Sequence, residues 1–457
     1  MDINSKITPE DLVPKIEKLW TLSGAKLNAI TRSYDRSLGS PVFTVGGKYT
    51  TRGWTEWTQG FEYGSHILQY DATGEEAFLE SGRSAVVEHM APHVTHFGVH
   101  DHGFNNVSTY GNLLRLMKEG RVDFNSWERD FYELALKSSG AVQARRWTKL
   151  GKDEGFIYSF NGPHSLFADT IRSLRALGLA HQLGHRMMDE NDSSVLLFDR
   201  LVQHARTTAA YAVYYGEKRD AYDVRGRVAH ESIFNTNDGA YRCANSQQGY
   251  SAFTTWMRGL AWIMTGYAEQ LEFLKVIDDA EFEAHGGRQV VEDFMLRAAQ
   301  ASCDFYIDHT PRDGIPYWDS GAPGLAFMGK YLSKDADTIN KHEPVDSSSA
   351  AIAAQGLLRL GVYLSSSGDT IDGEKYWQAG LSVLDTLLSD TYLSADLDHQ
   401  GLILHSVYHR PNGWDHVPEG QHIPCGESSM WGDYHAREVA LYVQRVASGE
   451  PELKFFI

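Results

Sequence analysis

Apolar residues recur along the chain at the three-to-four spacing of helices, in two alternating kinds of segment. One kind starts on a polar or aromatic residue and runs into an apolar stretch rich in Ala and Gly. Such segments begin near Thr58, Val107, Ala168, Thr255, Ser347 and Met430. Small side chains allow close packing on more than one side, which is what an inner helix of a closed bundle needs. The other kind is conventionally amphipathic, over roughly 9–30, 76–90, 127–145, 195–215, 290–308 and 374–388. Each of these is predicted to be an outer helix with one polar face toward water. The alternation of outer and inner holds throughout, with no strand-rich or linker-like segment to divide the chain. The pattern predicts an all-α fold, an (α/α)6 barrel of six inner and six outer helices, with residues 1–457 forming a single domain.

Connection lengths add a polarity to this barrel. Inner-to-outer links are short, as at 71–74, whereas outer-to-inner links are long: about 31–57, 91–106, 146–167, 216–254, 309–346 and 389–429. Loops of that length usually carry function, and in a barrel of alternating helices all six open on one rim. Seven of the 11 tryptophans, Trp54, Trp57, Trp147, Trp256, Trp318, Trp414 and Trp431, fall in those loops or just after them. Aromatic faces stack on sugar rings, although some of these side chains are expected only to plug the barrel mouth.

Composition narrows the function. Hydrophobic residues at 42% and charged residues at 22% fit a folded chain with a large core. A net charge of −18 argues against nucleic acid or an anionic membrane as partner, because neutralising phosphates needs clustered Lys and Arg. An acidic ligand would need a local positive group. The three cysteines, Cys243, Cys303 and Cys425, are far apart and odd in number, which suits reduced thiols. No apolar leader core follows Met1 and no long apolar run occurs, so a cytoplasmic location is expected. Phosphate-binding glycine loops are absent, and no cofactor is expected. His89, His93, His96, His100 and His102 match no zinc spacing and are broken by Pro92, so no metal site is expected either.

Two carboxylates stand out by position. Asp101 lies in His-Asp-His-Gly-Phe, just before the second inner helix, and Asp169 starts the third. Neighbouring inner helices would bring both to the centre of the rim, where a close pair of carboxyls drives its proton affinities apart and keeps one protonated. The plainer alternative is a helix cap and a turn residue. Arg258, in the first turn of an apolar helix, needs an anionic partner, either a protein carboxylate or one on a ligand.

These residues, in this order, resemble glycoside hydrolase family 88, the unsaturated glucuronyl hydrolases, from about Trp54 to Tyr442. The motifs are Trp-Thr-Gln-Gly-Phe from Trp57, His-Asp-His-Gly-Phe from His100, Asp169, His230 in Val-Ala-His-Glu-Ser, Gln248-Gly249, Thr-Trp-Met-Arg-Gly from Thr255 and Met-Trp-Gly-Asp-Tyr from Met430. The resemblance implies Asp169 as general acid and base and Asp101 as its tuning partner. It implies Trp57, His100, His230, Gln248, Arg258 and Trp262 as the substrate-binding set. The implied substrate is an acidic oligosaccharide left by a polysaccharide lyase, and the implied reaction is hydration of the C4=C5 enol ether of its terminal uronic acid. Gln247 and Leu260 depart from the family pattern, and the inserts 324–341 and 409–421 are expected to reshape outlying subsites. A hydrolase of saturated uronides or other glycosides on the same barrel, or an inactive sugar-binding barrel, are the alternatives. The parent polysaccharide and the oligomeric state stay open.

Overall fold

The computed structural model describes residues 1–52, 56–152 and 154–456; Trp54 lies outside them. Among the described residues the alternating pattern becomes twelve long helical segments. The outer helices are Pro9–Ser33, Glu76–His89, Ser126–Arg145, Leu197–Tyr211, Arg288–His309 and Thr370–Leu387. The inner ones are Gln59–Thr73, a broken run from His102 to Lys118, the pair Thr170–Ser173 and Arg175–Gln182, then Met257–Leu274, Ser347–Ser366 and Met430–Ala447. Each inner helix packs on the next, and the sixth returns to the first, which closes an (α/α)6 barrel.

Glycine sets the spacing of the inner ring. A Cβ on Gly60 would sit 2.4 Å from the backbone of Asn105, and one on Gly103 would sit 2.2 Å from the carbonyl oxygen of Ser173. Gly356 meets the backbone of Thr265 in the same way, at 2.8 Å. A methyl group at any of these points would force neighbouring inner helices apart. Helix starts follow capping chemistry: Thr8 forms a capping box with Asp11, and Asn125, Asp346 and Ser429 accept backbone N–H groups of the first turns.

Three expectations need correction. The second inner helix begins at His102 rather than near Val107, and a π-helical turn at Val107–Gly111 absorbs the difference. Short strands do occur: Ser165–Phe167, Glu231–Phe234 and Tyr241–Asn245 form a three-stranded antiparallel sheet built from two of the long connections. Strands of three to five residues leave too little alternation to be read from sequence. The outer helix Ser126–Arg145 also exposes large apolar side chains where a polar face was expected.

Candidate active site

The long connections converge over one end of the inner ring and enclose a cleft. Its lining includes Trp57, His100, Asp101, Asp169, Gln248, Arg258 and Trp262, residues drawn from widely separated parts of the sequence. His230 lies directly behind this wall, its ring 4.8 Å from that of Trp256.

Asp101 and Asp169 both occupy helix N-cap positions, yet neither side chain makes the capping hydrogen bond. The plain capping role therefore does not account for them. Both residues are 8% exposed, and their carboxylates turn instead toward the ring of His100, whose Nε2 lies 3.8 Å from Asp101 Oδ1 and 3.4 Å from Asp169 Oδ1. The His100–Asp169 approach is too long and poorly aligned for a good hydrogen bond. Both ring nitrogens of His100, Asp169 Oδ1 and His230 Nε2 are buried without a hydrogen-bond partner in the protein. Such groups are costly to bury, and here four of their atoms gather at one cleft.

The charges order themselves clearly. Burial alone would lower the proton affinity of His100, but Asp101 and Asp169 more than offset this and raise it above the usual histidine range. Burial also pushes Asp101 up, and the nearby Asp169 adds to the rise against the opposing pull of His100. Asp169 feels the same burial, but His100 and then His230 outweigh it and hold Asp169 below the usual carboxylate range. The proton affinities are thus driven apart, but with Asp101 as the higher carboxyl, the reverse of the order the general-acid role leads one to expect.

His230 is held by its environment in one form. Burial lowers it to about 4, and Nδ1 accepts the backbone N–H of Gln247 at 3.0 Å, which leaves the ring proton on Nε2. Its position is fixed by backbone pairing, since the N–H of Ala168 donates to the carbonyl of His230 at 2.9 Å.

Arg258 finds its anionic partner within the protein. The side chain is buried, with Nη1 3.4 Å from Asp346 Oδ2 and donating to the carbonyl of Val407. Its Nη2 donates to the carbonyl of Tyr408 at 2.7 Å and to Gln248 Oε1 at 3.0 Å. A ligand carboxylate is therefore not required to balance this charge. Arg258 instead binds the 407–408 loop to the inner ring and orients Gln248 with its amide oxygen inward.

Aromatic residues supply most of the walls. Trp57 stacks on Trp431 at 5.1 Å, while Phe104 packs on Trp262 at 4.8 Å. Trp256 and Trp414 also line the cleft, but Trp147 pairs with Arg200 and Trp318 with Glu343, away from it. Of the two departures, Gln247 lines the cleft and Leu260 is buried in the core. Phe160, Tyr408, His409 and Asn412 complete the lining and were not singled out as binding residues. The insert at 409–421 was the available signal for His409 and Asn412. Phe160 had none beyond its place in a long loop. Of the clustered histidines, His93 bonds Gln59, and His102 bonds Ser139 and the carbonyl of His96. Among the described residues no group of three or more His, Cys, Asp or Glu is arranged to hold a metal ion.

A helical barrel with a carboxyl pair at the floor of an aromatic-walled cleft has the form of a carbohydrate-active barrel. No protein-family model matches the chain. It is 24% identical over 385 residues to an unsaturated glucuronyl hydrolase of Formosa agariphila, a match covering 84% of this chain and 78% of that one. It is 25% identical over 408 residues to an unsaturated glucuronyl hydrolase of a Bacillus species, covering 88% and 90%. The crystal structure of an unsaturated glucuronyl hydrolase specific for heparin shares the fold with a TM-score of 0.71 at 20% identity, over 96% of this chain and 99% of that one. The resemblance to glycoside hydrolase family 88 thus holds along most of the chain.

Proposed function

We propose that the chain, acting as one catalytic domain in the cytoplasm, removes a terminal 4,5-unsaturated uronic acid from lyase-generated oligosaccharides. The observation that carries this reading is the pair of uncapped carboxylates gathered by His100 at the floor of an aromatic cleft, in a chain similar throughout to hydrolases of that name.

Asp169 is anionic in the resting cleft, next to His100, whose hold on a proton its two carboxylate neighbours strengthen. A uronate placed beside it adds like charge and excludes water, and both raise the proton affinity of Asp169. It can then take the proton from His100 Nε2 and pass it to C4 of the double bond. Water adds to C5 as its own proton goes to the Asp169 carboxylate, so the enol ether is hydrated with no net change in the protein's protons. The resulting C5 hemiketal opens the ring and releases the saccharide. Asp101, which burial holds above Asp169 in proton affinity, tunes the charge around Asp169 and faces the sugar hydroxyls. His230 and Gln248 present N–H donors to the sugar, and Trp57 and Trp262 offer faces and edges for its ring.

Loss of the enol-ether ultraviolet absorbance on adding enzyme to unsaturated disaccharides tests the reading, with p-nitrophenyl glucuronide as the saturated control. Turnover of the control alone would move the assignment to a saturated uronide, and binding of either sugar without turnover would make the chain a sugar-binding barrel.

A further inference from the structure

The outer helix Ser126–Arg145 exposes a row of large apolar side chains where Glu76–His89, Arg288–His309 and Thr370–Leu387 each expose a single one, Val87, Val290 and Ile371. Its buried face, carrying Tyr132, Ala135, Leu136 and Ser139, packs inward as expected. Its outward face carries Trp127, 84% exposed, and Leu134, 65% exposed, with Phe131 at the edge and Phe124 just before the helix. Spacings of four and three residues place Trp127, Phe131 and Leu134 in one row along about two turns. With Phe124 they expose roughly 500 Å² of apolar surface, at the upper end of what a monomer carries in one patch.

The charges around this row are complementary to themselves. The first half of the helix carries Glu128, Asp130 and Glu133 against Arg129, and the second half carries Lys137 and Arg145 with no acid. Within one copy Asp130 pairs with Arg129, Lys137 with Glu133, Glu128 with Arg83 and Arg145 with Asp189, all at least partly exposed and so cheaply exchanged for partners on a second copy. Two such helices packed antiparallel about a twofold axis near Leu134 set each acidic half against a basic half. Asp130 then lies across from Lys137 of the second copy, and Trp127 lies over the small Ala141. A chain of net charge −18 repels its own copies over most of its surface. This helix is uncharged in sum, so it is a face on which two copies can meet without that cost.

We propose that the face Trp127–Phe131–Leu134 is the twofold interface of a homodimer, with the two clefts left free. Sedimentation velocity on the full chain, over a concentration series from micromolar to a hundred micromolar, is the test. The parent is expected to sediment as a dimer, and Trp127→Glu and Leu134→Glu as monomers with unchanged thermal unfolding and unchanged turnover. Asp130→Lys and Lys137→Asp are each expected to weaken the dimer about tenfold or more, and the double variant to recover most of the loss. A parent that stays monomeric across the series overturns the proposal, as does a dimer that survives both glutamate substitutions. Failure of the double variant to recover would overturn the antiparallel pairing.

Discussion

Two clusters of charge are buried within the inner ring, and they differ in how their charges are matched. Deep in the barrel, Arg172 meets Glu269 at 2.7 Å and Glu438 at 3.1 Å, Arg359 meets Glu272 at 2.8 Å, and Gln355 donates to Glu438 at 2.8 Å. Burial would raise Glu438, yet Arg172 and Arg175 hold it far below the carboxylate range, so its charge is fixed. In the cleft, His100 stands between two carboxylates, with Arg146 acting on Asp101 as well, and one carboxylate rises while the other falls. Cations matched one to one with anions make a brace, whereas a histidine shared by two acids leaves a proton that can move.

Removing a member from each cluster separates the two roles. The largest effect is expected from Glu438→Ala, which strips a shared anion from Arg172 and Arg175: about 3–5 kcal/mol of stability is lost, seen in urea unfolding, with little change in turnover per folded molecule. A stability loss below 1 kcal/mol, on the same urea scale, would show that the deep cluster is not a brace. Asp169→Asn is expected to do the opposite, cutting turnover about 100-fold or more while leaving unfolding almost unchanged. Near-native turnover in this variant would take Asp169 out of the reaction.

Arg258→Ala tests the boundary between the clusters, because this residue lines the cleft but is matched like a brace. The expected result is a loss of about 2 kcal/mol in stability together with weaker binding of acidic and neutral sugars alike, since Gln248 and the 407–408 loop both lose their tie. A loss confined to acidic sugars would return Arg258 to direct recognition of a carboxylate.

Smallest per residue is the effect of acid. His66, His93, His102, His204, His230, His405, His409 and His435 are lowered by burial to about 3 or 4. Between the ordinary histidine range and pH 4 the unfolded chain binds protons that the folded chain refuses, so stability falls as pH falls through that window. Glu62, raised to about 7, and Asp313 and Asp319, raised to about 6, act in the reverse sense but are fewer. Melting temperature measured from pH 7 to 4 is therefore expected to decline steadily; a flat profile would mean that those histidines titrate normally in the fold.

The alternation of helix character was enough to reach the barrel, because Gly60, Gly103 and Gly356 are visible in sequence as small residues and do in the fold what small residues do. The convergence of the loops followed from their lengths. Partner choice did not: nothing near Arg258 in sequence announces Asp346, and the swap from ligand to protein partner exists only once residues 88 apart have met. The order of the two carboxyls was hidden for the same reason, since it depends on where the His100 ring lies between them. The exposed row on Ser126–Arg145 was legible in principle, but its apolar residues were read as facing the core.

The strand pairing that places His230 beside Asp169 also bears on how the protein comes into being. Between Ser165–Phe167 and Glu231–Phe234 lie the inner pair Thr170–Ser173 and Arg175–Gln182, the outer helix Leu197–Tyr211 and their connections, so the pairing of Phe167 with Glu231 spans more than sixty positions. Helices form from local contacts and quickly, while a ladder between distant segments waits on chain closure. Newly made or refolding molecules are therefore expected to regain their helical signal before they regain turnover, and the interval between the two is the time taken to zip this small sheet.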